Sequence, residues 1–180
     1  MPSTTHFTHL KTDAIVLRKR MLPSQDALFS LFTRDQGKVV AYARGVKKVT
    51  SRRLAHLQTG NYIEVILQVR ADQAYIAQTS LYSGFSQLKA APMALDALYR
   101  GLFCIDRLIP EGQSEEALFD HALRMASQLS LPQATHQTLL YDFLETLLTK
   151  LGYRDQQTSK AYLYQTIEEL TNEKLPVGII

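Results

Sequence analysis

Residues 44–53 read Arg-Gly-Val-Lys-Lys-Val-Thr-Ser-Arg-Arg. Five of these ten are cationic (Arg44, Lys47, Lys48, Arg52 and Arg53), and none is acidic. Cations held at fixed spacing suit a regular polyanion, of which a nucleic-acid backbone is the commonest. Further cations, Arg18, Arg20, Arg34 and Lys38, fall near strand ends or in connections on the same side of the sequence. Single-strand binding also needs flat side chains for bases. Tyr42 and Tyr62 are the candidates for base stacking, whereas Phe29, Phe32 and Tyr75 read as core. Phe29 and Phe32 are three apart on one strand and cannot share a face.

Reaction chemistry finds no comparable constellation. The glycines are scattered, with no phosphate-binding spacing. His6 and His9 share an N-terminal stretch, but nothing around them completes a metal site. Glu115-Glu116 and Glu168-Glu169 are adjacent on helices, so their side chains diverge. The single cysteine, Cys104, rules out an internal disulfide and sits in an apolar setting that reads as core. The expectation is a binding protein without turnover, cofactor or metal.

The charge distribution agrees. The net charge is only +3, yet residues 11–70 hold 12 Lys/Arg against 4 Asp/Glu, and residues 71–180 hold 8 against 13. One half is set to meet an anion, and the other favours protein partners. With 46% hydrophobic residues the chain can bury a sizeable core. No apolar run approaches the roughly 18 residues of a membrane span. The N-terminus lacks the pattern of a secretion signal, so a cytoplasmic location is expected.

The elements that must position the cations follow from hydrophobic period. Residues 13–20, 27–33, 38–44, 62–69 and 74–81 read as strands, with Ile63, Val65, Leu67 and Val69 alternating on one face. Arg34-Asp35-Gln36-Gly37 is a hairpin signal, and residues 45–60 leave room for a short helix. Five short strands in about 80 residues suggest a small closed barrel. After Phe85 the period becomes helical. Pro92 opens a helix carrying Leu95, Leu98, Leu102, Ile105 and Leu108. Ser114-Glu115-Glu116 reads as a capped start for the next. Leu139–Leu151 forms a broad apolar face, with Gly152 placed as a C-terminal cap. A last helix is expected over about 158–172. The fold class is α+β: a five-stranded barrel over residues 1–84, then an all-α part over 85–180.

Several blocks, in order, resemble the RecO family of bacterial recombination mediators. They are Lys11–Arg18, Asp26–Thr33, Gly37-Lys38, Ala43–Lys48, Ser51-Arg52, Leu57-Gln58, and then Phe143–Glu145, Leu147-Leu148 and Leu151–Tyr153. The resemblance implies an N-terminal OB-fold and a helical C-terminal domain. It implies binding to single- and double-stranded DNA, annealing of complementary strands, and a place in the RecF pathway of DNA repair. The implied partners are RecR and single-stranded DNA-binding protein, with RecA loaded as the outcome, in the nucleoid. By position it carries over Lys38, Arg44, Lys47, Lys48 and Arg52 as DNA contacts, while Arg53 rests on charge alone. Tyr141, Lys150 and Arg154 are candidates for docking a partner's acidic, aromatic-ended tail. Two departures stand out. Many relatives carry a cysteine-rich zinc module after the Leu-Gly-Tyr block, whereas here Arg154-Asp155-Gln156-Gln157 follows. The chain is also short after Tyr153, so the helical part is expected to be pared down.

Overall fold

The computed structural model describes residues 8–24, 26–45, 52–153 and 159–176, with Arg52 and Arg53 described by backbone alone. Five strands come first: β1 (Thr8–Met21), β2 (Ala27–Thr33), β3 (Gly37–Ala43), β4 (Tyr62–Arg70) and β5 (Gln73–Ser83). A short helix α1 (Arg52–His56) lies between β3 and β4. The strands close in the order β1-β2-β3-β5-β4, with β3 and β5 parallel and the other pairs antiparallel. A closed five-stranded barrel of this connectivity is an OB-fold. β1 is longer than its sequence signal because its first part pairs with β4 and its second with β2. A register shift between Val16 and Arg18 marks the change of direction.

The barrel wall is buried on both faces where the helices cover it. Ala14 and Val16 point into the barrel core, while Ile15 and Leu17 join the helical core. Phe29 and Phe32 divide the same way, and both are fully buried. Leu57, just after α1, plugs the barrel interior.

Five helices follow: α2 (Ser86–Ala90), α3 (Pro92–Leu108), α4 (Glu116–Leu129), α5 (His136–Lys150) and α6 (Lys160–Thr171). α3 is central because it is apolar on most sides. It touches β1 and β2 of the barrel and α2, α4, α5 and α6. Pro92 stands in its first turn, as the sequence predicts. Gly101 lets α4 come close, since a Cβ there would lie 2.7 Å from Met125 Cε. Gly152 ends α5 with φ +77°. Its N–H donates to the Thr149 carbonyl and that of Tyr153 to the Leu148 carbonyl, the paired bonds of a Schellman cap. Ser114 does not cap α4, contrary to the sequence reading. Its hydroxyl donates across to the Arg34 carbonyl at 3.3 Å, and Glu115 takes the cap position.

That crossing is part of a polar seam between barrel and helices. Asp106 of α3, almost fully buried, accepts from the Ser30 hydroxyl at 2.6 Å and from Arg18 Nε at 3.0 Å. Lys38 Nζ donates to the Asp106 carbonyl at 2.7 Å. The β2–β3 turn presses on the residues before α4. Gly37 has φ +66°, and a Cβ there would fall 1.8 Å from the Gln113 carbonyl oxygen. The Gly112 N–H donates to the Lys38 carbonyl at 3.0 Å.

Two stability predictions result. Gly37→Ala would cost about 1–3 kcal/mol from the left-handed backbone alone, with the backbone clash added, and should lower the Tm in thermal unfolding. Asp106→Ala leaves Ser30 and Arg18 without their acceptor and should cost about 1.5–3 kcal/mol. A Tm equal to wild type in calorimetry would refute the anchoring role.

Candidate nucleic-acid interface

The nine cations singled out in the sequence separate into distinct groups. Arg18 and Lys38 are engaged with Asp106 in the seam. Arg34 is held there too, with its guanidinium 2.8 Å from Asp120, 3.3 Å from Glu116 and 3.8 Å from Asp13. It also lies over the Phe119 ring at 4.8 Å. These three link the barrel to the helices, Arg18 and Arg34 through carboxylates and Lys38 through a backbone carbonyl. Arg20 and Arg44 are different: both are exposed, and neither has an acidic partner among the described residues. Arg52 and Arg53 start α1. Lys47 and Lys48 lie outside the described residues.

The connection that carries the basic run is anchored at both described ends. The Gly45 N–H donates to Asp26 Oδ1 at 2.9 Å, which ties the end of β3 to the β1–β2 connection. Beyond α1, the buried Asn61 amide donates to the carbonyls of Ala55 at 3.0 Å and His56 at 2.9 Å. It thereby satisfies the carbonyl end of a helix too short to be stable alone. Lys89 Nζ donates to the Asn61 side-chain oxygen, and burial lowers the Lys89 pKa from its ordinary value. His56 Nδ1 lies 3.1 Å from the Thr79 carbonyl and holds α1 against β5.

The register defines an outward-facing row across the sheet. Arg20 on β1 pairs with Leu28 on β2, Leu28 with Tyr42 on β3, Tyr42 with Tyr75 on β5, and Tyr75 with Gln68 on β4. Paired residues share a face. The Tyr42 and Tyr75 ring centroids are 5.6 Å apart at an interplanar angle of 31°. The Arg44 guanidinium lies 4.7 Å above the Tyr75 ring. A cleft of about 270 Å³ opens beside them, bordered by Gln68, Arg70 and Ala77, and no residue of α2–α6 lines it. The β1–β2 connection and the β4–β5 turn flank this face, and in OB-folds the equivalent loops border the nucleic-acid-binding surface.

Tyr75 corrects the sequence reading, which placed it in the core. Its neighbours Ala74 and Ile76 are the buried residues of β5, so alternation turns Tyr75 outward. The same alternation on β4, applied past Gln68, would have found Arg70. Tyr62 stands elsewhere. Its ring packs between Tyr82, with centroids 4.8 Å apart, and Phe119, at 6.3 Å. Its hydroxyl donates to Asp13 Oδ2 at 2.9 Å. Burial, followed by this bond to a carboxylate, raises its pKa. Tyr62 is thus a seam residue, separated from the Tyr42–Tyr75 pair.

In the helical part, Tyr141 lies beneath Lys160, whose Nζ is 5.3 Å from its ring centroid. Lys150 is exposed at the end of α5. Arg154 lies outside the described residues. A groove of about 360 Å³ between α3, α5 and α6 is lined by Met93, Arg100, His136, Leu140, Lys160 and Tyr164, among others. Among the described residues there is no cluster of metal-binding side chains and no helix long and apolar enough to cross a membrane.

Comparison with known proteins agrees with this geometry. Residues 7–85 match the family model "Recombination protein O N terminal". A DNA repair protein RecO of Symbiobacterium thermophilum is 29% identical over 142 residues, covering 79% of this chain and 56% of the relative. One from a Roseiflexus species is 28% identical over 167 residues, covering 93% and 58%. That of Alkaliphilus metalliredigens is 26% identical over 157 residues, covering 87% and 64%. The chain therefore spans somewhat more than half the length of these relatives. The chain is thus similar to RecO proteins over most of its length, and the match to the family model falls on the stretch that contains the five-stranded barrel.

Proposed function

We propose that this chain is a DNA repair and recombination mediator that binds single- and double-stranded DNA and anneals complementary strands. It would assist RecA loading with RecR on strands coated by single-stranded DNA-binding protein, in the nucleoid. Residues 1–84 form the DNA-binding unit and residues 85–180 the helical unit. The observation that carries this reading is the pair of exposed cations Arg20 and Arg44 on an OB barrel similar to the RecO N-terminal domain, with the basic run of the sequence continuing from Arg44 to Arg53. No turnover is needed. Cations on one surface neutralise phosphates on two strands and reduce their repulsion. Sequence-blind contacts let the strands sample register until base pairing, the source of the free energy, takes over. Arg18, Arg34 and Lys38 act indirectly, by fixing the barrel against the helices.

A second reading, compatible with the first, makes the helical unit an adaptor. It is favoured by the α3–α5–α6 groove, where Lys160, and Arg100 paired with Asp96 at 2.9 Å, border apolar Leu140 and a strongly exposed Met93. That chemistry fits an acidic tail with an apolar end, such as that of single-stranded DNA-binding protein, with Tyr141 at the groove margin.

With about five cations engaging a single strand, log affinity should fall against log salt with a slope near about −3.5. A slope of zero in a fluorescence titration would sink the DNA reading. Replacing Arg44, Lys47, Lys48 and Arg52 together with Ala should abolish most binding and annealing on coated strands while circular dichroism stays unchanged. For the adaptor, Arg100→Glu with Lys160→Glu should weaken anisotropy-detected binding of an acidic tail peptide at least tenfold. Unaltered peptide affinity would remove the groove from the account.

A further inference from the structure

We propose that the Tyr42–Tyr75 pair, with Arg44 and Arg70, is a subsite for an unpaired nucleobase and its adjoining phosphate. It makes the barrel prefer single strands over duplex. This rests on the DNA-binding reading above and goes beyond it, because cations alone hold phosphate without regard to base exposure.

Three observations converge on the subsite. First, the two rings stand side by side on the outer face of neighbouring strands, rather than inside the barrel. Ala41 and Ala74 next to them fill the inward positions. The Tyr75 hydroxyl donates to Gln73 Oε1 at 2.8 Å, which holds the ring in one orientation. Second, a cation is already placed on the aromatic surface: Arg44 lies over Tyr75, and Arg70 borders the same cleft. A nucleotide offers both the flat ring and the anion that such a pairing recognises. Third, the cleft of about 270 Å³ is slightly smaller than the range of about 300–1,000 Å³ that takes drug-sized ligands. It suits one planar ring. A paired base in a duplex is stacked on both sides and cannot present its face, so it is excluded by geometry.

The site also has a continuation. The cross-strand row leads from Tyr42 over Leu28 to Arg20, an exposed cation without an acidic partner among the described residues. A strand with one base on the tyrosines can therefore run along the row with its next phosphates toward Arg20. Tyr62 takes no part, since its ring is enclosed by Tyr82 and Phe119.

The test compares oligo(dT) with an all-abasic strand of equal length, which keeps the phosphates and lacks the bases. The wild-type chain should bind oligo(dT) roughly tenfold or more tightly than the abasic strand. Tyr42→Leu with Tyr75→Leu should reduce oligo(dT) affinity to the abasic level and leave abasic and duplex affinities unchanged. Equal wild-type affinity for both strands overturns the subsite while salt-dependent abasic binding leaves the DNA reading standing. Loss of all binding to every strand overturns both. Photocrosslinking of an iodouracil-containing strand to the unmodified chain removes any dependence on how the variant folds. Adducts on peptides holding Tyr42 or Tyr75 are expected, and adducts confined to other peptides refute the proposal.

Discussion

The barrel and the helices form one body because a carboxylate is buried between them. Asp106 leaves water at a cost that only well-placed donors offset. Ser30 and Arg18 from two barrel strands supply them, and Lys38 adds a bond to the same residue's carbonyl. The apolar contacts of Ile15, Leu17 and Phe32 with α3 and α4 provide the bulk of the attraction. Hydrophobic burial alone is non-directional, whereas the bonds to Asp106 admit one register of helix against sheet. Arg34 extends the same constraint to α4 through Glu116 and Asp120.

This seam also decides which cations remain for a partner. Charge counted along the chain treats Arg18, Arg34 and Arg44 alike. In the fold, the first two face carboxylates from helices that lie more than 80 residues further on, and the third lies over a tyrosine and forms no ion pair among the described residues. The acidic surplus after residue 70 is therefore not merely a surface for proteins. Part of it, Asp106, Glu116 and Asp120, is the counter-charge that fixes the barrel in place.

Much of the architecture was legible in local pattern. Alternation on β4, the turn residues before Gly37, Pro92 at the start of α3 and Gly152 after α5 each follow from short-range physics. What was not legible depends on long-range partners. The continuous apolar run Ala14–Leu17 shows no alternation because one face fills the barrel and the other meets α3, a fact local sequence does not hold. Ser114 looks like a cap until Arg34, 80 residues earlier, takes its hydroxyl. Tyr75 could have been placed by strict alternation, but its importance depends on Tyr42 lying beside it. That pairing belongs to the parallel β3–β5 contact, which no hairpin signal announces.

That contact has a thermodynamic consequence. The β3–β5 ladder joins only Ala41 with Ala74 and Tyr42 with Tyr75, the shortest pairing in the barrel, and it is the junction that closes the sheet into a ring. Its partners are far apart in sequence, so loop-closure entropy opposes it more than any hairpin. A ligand that lay across both tyrosines would bind the closed barrel and not the open one. By mass action it would shift the chain toward closure, and occupancy of the outer face and integrity of the ring would become linked equilibria.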